Sequence, residues 1–198
     1  DPVEYNIDGV NQIQAKAEIG LTFAHALRSI VRQDPDVIMI GEMRDAETAG
    51  IAVQSALTGH LVLSTLHTND APSAVTRLLD LGVPAFLIQA TLVGVLGQRL
   101  MRKICPYCKE EFEMDVSELA ALGLDIGPKG KVVLHRGKGC IKCRTTGYRG
   151  RTGIFEVVPY TESLKKLTRA DADVEEIRTR AREEGMFTLR ESAIKKML

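Results

Sequence analysis

Two short, continuously apolar runs dominate the hydrophobic pattern of this chain. Val37–Ile40 (VIMI) leads into the charged turn Gly41-Glu42-Met43-Arg44-Asp45, and residues 61–66 (LVLSTL) lead into His67-Thr68-Asn69-Asp70. Unbroken apolar strands are what a parallel sheet covered on both faces requires. A helical stretch over 46–58 separates them, with Asp45 as its N-cap and Gly59 as its stop. In open α/β sheets, ligands sit beyond the carboxyl ends of the strands. Both strands deliver polar, chemically capable residues at that end.

The rest of the pattern supplies supporting elements. Val3 to Tyr5 reads as the tail of a strand, and 10–18 as a weakly alternating strand or hairpin arm broken by Gly20. Thr22 caps a helix over 23–33, with Phe23, Leu27, Ile30 and Val31 on its apolar stripe and His25, Arg28 and Arg32 on another face. Pro35 ends it, because the residue before a proline avoids the helical region. Asp70 and Pro72 open a helix that runs to Gly82. Residues 84–103 read as one long helix with Arg99, Arg102 and Lys103 in its last turns, where cations are favourable. The strand–helix–strand–helix order predicts a parallel α/β sheet.

At Cys105 the character of the chain changes. A short helix near 117–122, a turn at 127–130, strands at 132–135 and 153–158, and helices at 162–168, 174–184 and from 188 follow. The expected division is 1–103 as an α/β core, 104–158 as a cysteine-bearing subdomain with its return strand, and 159–198 as a helical region. The chain opens without an initiator Met and closes inside a helical pattern, so a piece of a longer protein is expected.

Composition narrows the function classes. Lys+Arg and Asp+Glu balance at 26 each, which leaves no global basic field and argues against a nucleic-acid strand as substrate. Hydrophobic residues make up 44%, enough for a core without disulfides. The longest apolar run, 85–96, is interrupted by Gln89 and Thr91 and is too short to span a bilayer.

Cys105-Pro-Tyr-Cys108 and Cys140-Ile-Lys-Cys143 are the most specific local motif. Two Cys-x-x-Cys pairs a few tens of residues apart match a structural zinc site, each pair presenting two thiolates to one ion. Four reduced cysteines packed as small hydrophobes, or two disulfide-type pairs, are the alternatives. No secretion signal is visible, which favours zinc. Glu42 stands where a magnesium-organising or water-activating carboxylate would stand, although many strands end in Glu. Asp36, Arg44, Asp45 and His67 add charge and chemistry nearby, and charges at the end of a buried strand need partners. His60 and His67 frame the second strand. Either alone is more often a structural histidine, and their spacing does not mark a metal pair; a phosphate-sensing donor suits an imidazole. Asp1 and Glu4 are either exposed loop residues or a general base that orients water. No G-x-x-x-x-G-K-[ST] occurs in the chain, so any phosphate-cradling loop must come from elsewhere.

Together these stretches resemble the secretion ATPases of the type II secretion and type IV pilus assembly systems, over essentially the whole chain. Asp1-Pro-Val-Glu4 resembles the family's aspartate box, 34–45 (DPDVIMIGEMRD) its Walker B segment and 58–71 (TGHLVLSTLHTNDA) its histidine box. The cysteine pairs and Gly150-Arg-Thr-Gly-Ile-Phe-Glu156 resemble the metal-binding subdomain of the assembly members, which retraction ATPases of the superfamily lack. The resemblance implies the carboxyl-terminal part of a RecA-like P-loop NTPase core, its phosphate loop outside the chain, with an inserted zinc subdomain and a helical end. It implies ATP and Mg2+ as ligands and Zn2+ as a structural ion. Glu4 then activates water, Glu42 stands near magnesium, and His60 and His67 approach the terminal phosphate. Asp1, Arg28 and Arg32 become candidates for phosphate or interface contacts. The implied working form is a cytoplasmic homohexamer, peripheral at the bacterial inner membrane, with ATP at subunit boundaries. Its implied partners are a platform protein and a cytoplasmic recruiting protein. A zinc-stapled interaction module or inactive paralogue that docks without turnover is the alternative, and the isolated chain is expected to be inactive.

Overall fold

The computed structural model describes residues 3, 5–121, 123–124 and 130–197. In chain order the elements are α1 (Phe23–Ile30), β1 (Val37–Ile40), α2 (Ala46–Leu57), β2 (Leu61–Ser64), α3 (Ser73–Asp80), α4 (Ala85–Thr91), β3 (Gly94–Ile104), β4 (Lys109–Asp115), α5 (Val116–Ala121), β5 (Lys131–Gly137), β6 (Tyr148–Pro159), α6 (Glu162–Leu167), α7 (Val174–Glu183) and α8 (Leu189–Met197). Two compact units result. The first comprises Asp1–Val95 and Val158–Glu184, the second Leu96–Val157 and Gly185–Leu198.

The first unit is built on β1 and β2, which pair in parallel with Val37 opposite Leu61 and Ile40 opposite Ser64. Their core face buries Ile38 and Ile40 against Leu27 of α1 and Ala52 of α2, with Phe23, Ile30, Val31, Met43, Ile51 and Val62 packed around them. Side chains alternate across a strand, so Val37, Met39, Leu61 and Leu63 share the other face. That face is open: Val37 is 55% and Met39 73% exposed. Coverage of both faces, expected from the unbroken apolar run, is therefore not met among the described residues. The run marked a strand correctly, but only one of its faces finds a partner here. Ile38→Ala should cost about 2–5 kcal/mol, and Met39→Ala in this chain less than about 0.5 kcal/mol. Urea unfolding of the two variants measures the difference.

Helix starts follow their expected caps. The Thr22 hydroxyl accepts from the His25 amide at 3.1 Å, and Asp45 accepts from the Thr48 amide at 2.7 Å and its hydroxyl at 3.0 Å. The α1 helix stops at Ile30 and tightens into a 3-10 turn over Val31–Gln33, rather than staying α-helical to residue 33. Asp34 then adopts a left-handed conformation, φ 51°, ahead of Pro35. A last turn of tighter pitch is common where a helix is cut short.

Three sequence expectations are corrected. Residues 10–18 form no strand; only a single bridge joins Lys16 to Leu21 around the 3-10 turn Ala17–Ile19. Val3 and Tyr5 are likewise not in a strand. The long helix over 84–103 is instead α4 followed by β3, which pairs with β6. The apolar spacing over 92–104 fits either period. The deciding partner lies some fifty residues downstream, beyond any local window. Gly94 makes the pairing close: a Cβ there would meet the Val158 carbonyl oxygen at 3.3 Å. Arg99, Arg102 and Lys103 thus sit on a strand, not in a final helical turn.

In the second unit β4 and β5 pair antiparallel, from Lys109 opposite Gly137 to Asp115 opposite Lys131. The strand β6 is longer than the expected 153–158 and carries the buried Glu156, whose carboxylate accepts from the Leu189 amide at 3.1 Å and anchors the start of α8. Of the expected turn and helix nearby, residues 127–129 and Leu122 lie outside the described residues. Among the described residues, no helix is long and apolar enough to cross a membrane.

Candidate functional site

The carboxyl ends of β1 and β2 are laced together before any side chain is considered. The Met43 amide donates to the Thr65 carbonyl at 3.1 Å, and the Thr65 hydroxyl donates to the Gly41 carbonyl at 2.6 Å. These bonds prolong the parallel pairing into the two turns that carry the chemistry. They place Glu42 beside His67, whose Nε2 lies 2.7 Å from Glu42 Oε2. Arg44 ion-pairs with the other carboxylate oxygen. Glu42 is buried, at 4% exposure, whereas His67 and Arg44 reach into solvent.

A carboxylate in that setting stays ionised. The Arg44 hydrogen bond lowers the Glu42 pKa below its ordinary 4.5, burial opposes this, and the His67 bond lowers it further. The folded value lies below the unfolded one, so the stability this group contributes is fully present above 4.5 and is lost as pH falls through the folded value. Glu42→Gln should flatten the acid limb of unfolding below pH 4.5, followed by circular dichroism on both proteins. Ser64, the last residue of β2, carries a buried hydroxyl oxygen with no hydrogen-bond partner among the described residues. Buried polar atoms are nearly always satisfied, so this orphan at the same strand end fits an edge that accepts a polar ligand.

The other candidates scatter. His60 precedes β2, at the opposite end of the strand from His67, and its Nδ1 is 2.8 Å from the Ser55 carbonyl and 3.1 Å from the Thr58 hydroxyl. The fold does not bring it to Glu42. Arg28 pairs with Glu47, joining α1 to α2, and Arg32 is exposed in the 3-10 turn. Asp1 and Glu4 lie outside the described residues.

The four cysteines do converge. They are free thiols whose sulfurs all lie within 4.8 Å of one another. Cys105 to Cys140 is 3.9 Å, Cys108 to Cys143 3.8 Å and Cys140 to Cys143 3.7 Å. Four sulfurs placed tetrahedrally at the zinc–thiolate distance of about 2.3 Å stand about 3.8 Å apart. The donor set therefore fits a tetrahedral thiolate-loving ion, and the disulfide alternative is not adopted. Amides support the knuckles: Cys140 and Gly147 donate to Cys143 Sγ at 3.2 and 3.3 Å. Burial pushes the Cys108 thiol up to about 12, with the neighbouring sulfurs adding to it. Burial also raises Cys143, but those two amides and the nearby sulfurs outweigh it and bring it down to about 6. Thiolate ligands must give up their protons to a divalent ion, so metal binding here would be linked to proton release.

Comparison with known proteins decides the family. Residues 1–198 match the family described as type II/IV secretion system protein. The chain belongs to that family. It is 49% identical over all its length to the type II secretion system protein E of Pseudomonas aeruginosa, covering 39% of that protein. It is 50% identical, again over its whole length, to the type IV pilus assembly ATPase PilB of Thermus thermophilus, covering 22% of it. The chain thus spans well under half of these relatives. Among solved structures, the Legionella pneumophila ATPase DotB matches 88% of the chain with a TM-score of 0.55 at 22% identity, covering 38% of that structure, a likeness of fold. The pilus retraction motor PilT with bound ADP matches 87% of the chain with a TM-score of 0.51 at 26% identity, covering 43% of that structure. These neighbours share an α/β ATPase fold, as the resemblance implied, and the parallel pair β1 and β2 is part of it.

Sequence reasoning placed Arg44 near Glu42 without pairing the two, because two residues apart on a turn predicts nothing about facing. It missed one participant altogether: an ion pair from α7 to the end of the β2 loop joins residues 108 positions apart.

Proposed function

We propose that the chain is the carboxyl-terminal part of a motor that hydrolyses ATP to drive type II secretion or type IV pilus assembly. The observation that carries this reading is the Glu42–His67 pair, a buried ionised carboxylate bonded to an imidazole beyond the ends of two parallel strands. Relatives named for those machines, at about half identity over the full chain, support it.

Phosphoryl transfer to water depends on positioning and charge stabilisation more than on covalent help. In this reading Glu42 holds the magnesium ion or a water beside it, and His67 donates toward the terminal phosphate. A bound magnesium ion supplies neutralisation of phosphate charge. Glu4 orients the attacking water, and Asp1, Arg28 and Arg32 face phosphate or a neighbouring subunit. His60, bonded to Ser55 and Thr58, steadies the start of β2 instead of touching phosphate. The phosphate-cradling loop belongs to the part of the polypeptide outside this chain. The open apolar face of Val37, Met39, Leu61 and Leu63 suits cover by that part.

The working form is a homohexamer at the cytoplasmic side of the inner membrane, with ATP at subunit boundaries. It acts with a platform protein and a recruiting protein. Cys105, Cys108, Cys140 and Cys143 hold zinc as a closed structural site that stiffens the second unit. Phosphate release tests the catalytic reading. The longer polypeptide, upstream phosphate loop included, should turn over ATP, and the 198-residue chain alone should not. Turnover by the isolated chain that Glu42→Gln abolishes would contradict the division of the site between the two parts.

A further inference from the structure

Asp70 joins two distant parts of the first unit. Its Oδ1 accepts from the Ser73 amide at 3.0 Å and the Ser73 hydroxyl at 2.5 Å, which fixes the start of α3. Its Oδ2 accepts from Arg178 Nη2 of α7 at 2.6 Å. Arg178 also bonds Glu175, one turn earlier on its own helix.

The other aspartate cap in this unit shows that the second contact is not needed for capping. Asp45 and Asp70 each stand three residues before a hydroxyl residue. At Asp45 the two oxygens divide between the amide and hydroxyl of Thr48. At Asp70 both bonds from Ser73 fall on one oxygen, and the other turns to α7. The pair is partly withdrawn from solvent, with side chains 23% and 30% exposed. Burial raises the Asp70 carboxyl, yet the Ser73 and Arg178 bonds outweigh it and hold it below its ordinary 3.8.

Three residues before Asp70 stands His67. The segment between them has no helix or strand, and Ala71 and Pro72 behind it are buried. Its upstream end is held by the Thr65 bonds to Gly41 and Met43. Its downstream end is held by Asp70. A short loop pinned at both ends has few conformations to choose from.

We propose that Arg178 is a positioning residue, which through Asp70 fixes the short segment carrying His67 so that its imidazole stays against Glu42. The inference rests on the nucleotide reading of Glu42 and His67 where it concerns turnover, but its geometric half does not. A salt bridge that merely staples α7 to α3 changes stability alone. A positioning residue changes kcat and the environment of His67 as well.

Two measurements separate these outcomes. In the longer polypeptide, Arg178→Met should lower kcat roughly tenfold, since small misplacements of catalytic groups are costly, with KM for ATP within about twofold. Arg178→Lys, which keeps one charged donor, should recover most of the rate. In a Glu42→Gln background, Arg178→Met should add nothing, because residues that act as a unit are not additive. In the 198-residue chain, 13C-labelled histidine should show the His67 ring resonance displaced by Arg178→Met and restored by Arg178→Lys, with His25, His60 and His135 unmoved. A lowered melting temperature with unchanged kcat and an unmoved His67 resonance overturns the proposal. A displaced His67 resonance in a protein whose turnover ignores Glu42→Gln leaves the positioning in place and overturns the nucleotide reading instead.

Discussion

Glu42→Gln in the longer polypeptide should lower ATP turnover on the order of 10²–10⁴-fold, the range for loss of a positioned base or charge. Nucleotide binding should change by no more than a few-fold. Glutamine keeps the shape of the side chain and an oxygen that His67 can approach, so the strand ends should stay laced through Met43, Thr65 and Gly41. What it removes is the negative charge, held in place by Arg44 against the cost of burial. In the proposed reading that charge is what would attract a divalent cation or accept a proton. Phosphate release and a fluorescent nucleotide titration, made on the same preparation, separate the two effects. Equal loss of binding and turnover would mean that Glu42 holds the loop rather than serves the reaction.

The second large effect is expected at the cysteines. Cys105→Ser with Cys108→Ser leaves two thiolates where four converge within 4.8 Å, and an alcohol does not replace a thiolate on zinc. Structural zinc sites carry apparent binding free energies of about 10–16 kcal/mol at neutral pH in small peptides, so the second unit should lose most of its local stability. Metal analysis should fall from about one zinc per chain to well below it, because a closed structural site uses all four ligands. Secretion or piliation should suffer more than nucleotide binding, because Glu42 and His67 belong to the first unit. Parallel loss of both would leave the metal only a folding role. Substoichiometric zinc in the unmodified protein, folded without chelator, counts against the site.

The sequence was most readable where chemistry is local. Cys-x-x-Cys pairs, helix caps at Thr22 and Asp45, and the two apolar strands needed only near neighbours, and each stands where the pattern put it, except that the second strand ends at Ser64 instead of residue 66. The pairing of Glu42 with His67 was half legible: strand order put both at one edge, but the 2.7 Å contact depends on a register that no pattern states. Where the decisive partner was remote, reading failed. The strand β3 passed for a helix because its partner β6 begins at Tyr148. The strand β4 went unnoticed although Glu110, Phe112 and Met114 alternate with exposed residues in KEEFEMD. Half of that alternation is carried by charged residues, so only pairing with β5 makes it meaningful. The open face at Val37 and Met39 shows the reverse case, in which an unbroken apolar run implied a neighbour that the described residues do not supply.

The central claim, that the turns after β1 and β2 form one wall of a nucleotide pocket, is tested most directly by a crystal structure of the longer polypeptide with Mg2+ and a non-hydrolysable ATP analogue. The account predicts the terminal phosphate against His67, with Glu42 in contact with the magnesium ion or one of its waters. An analogue bound away from Glu42 and His67, with their mutual bond undisturbed, would contradict it.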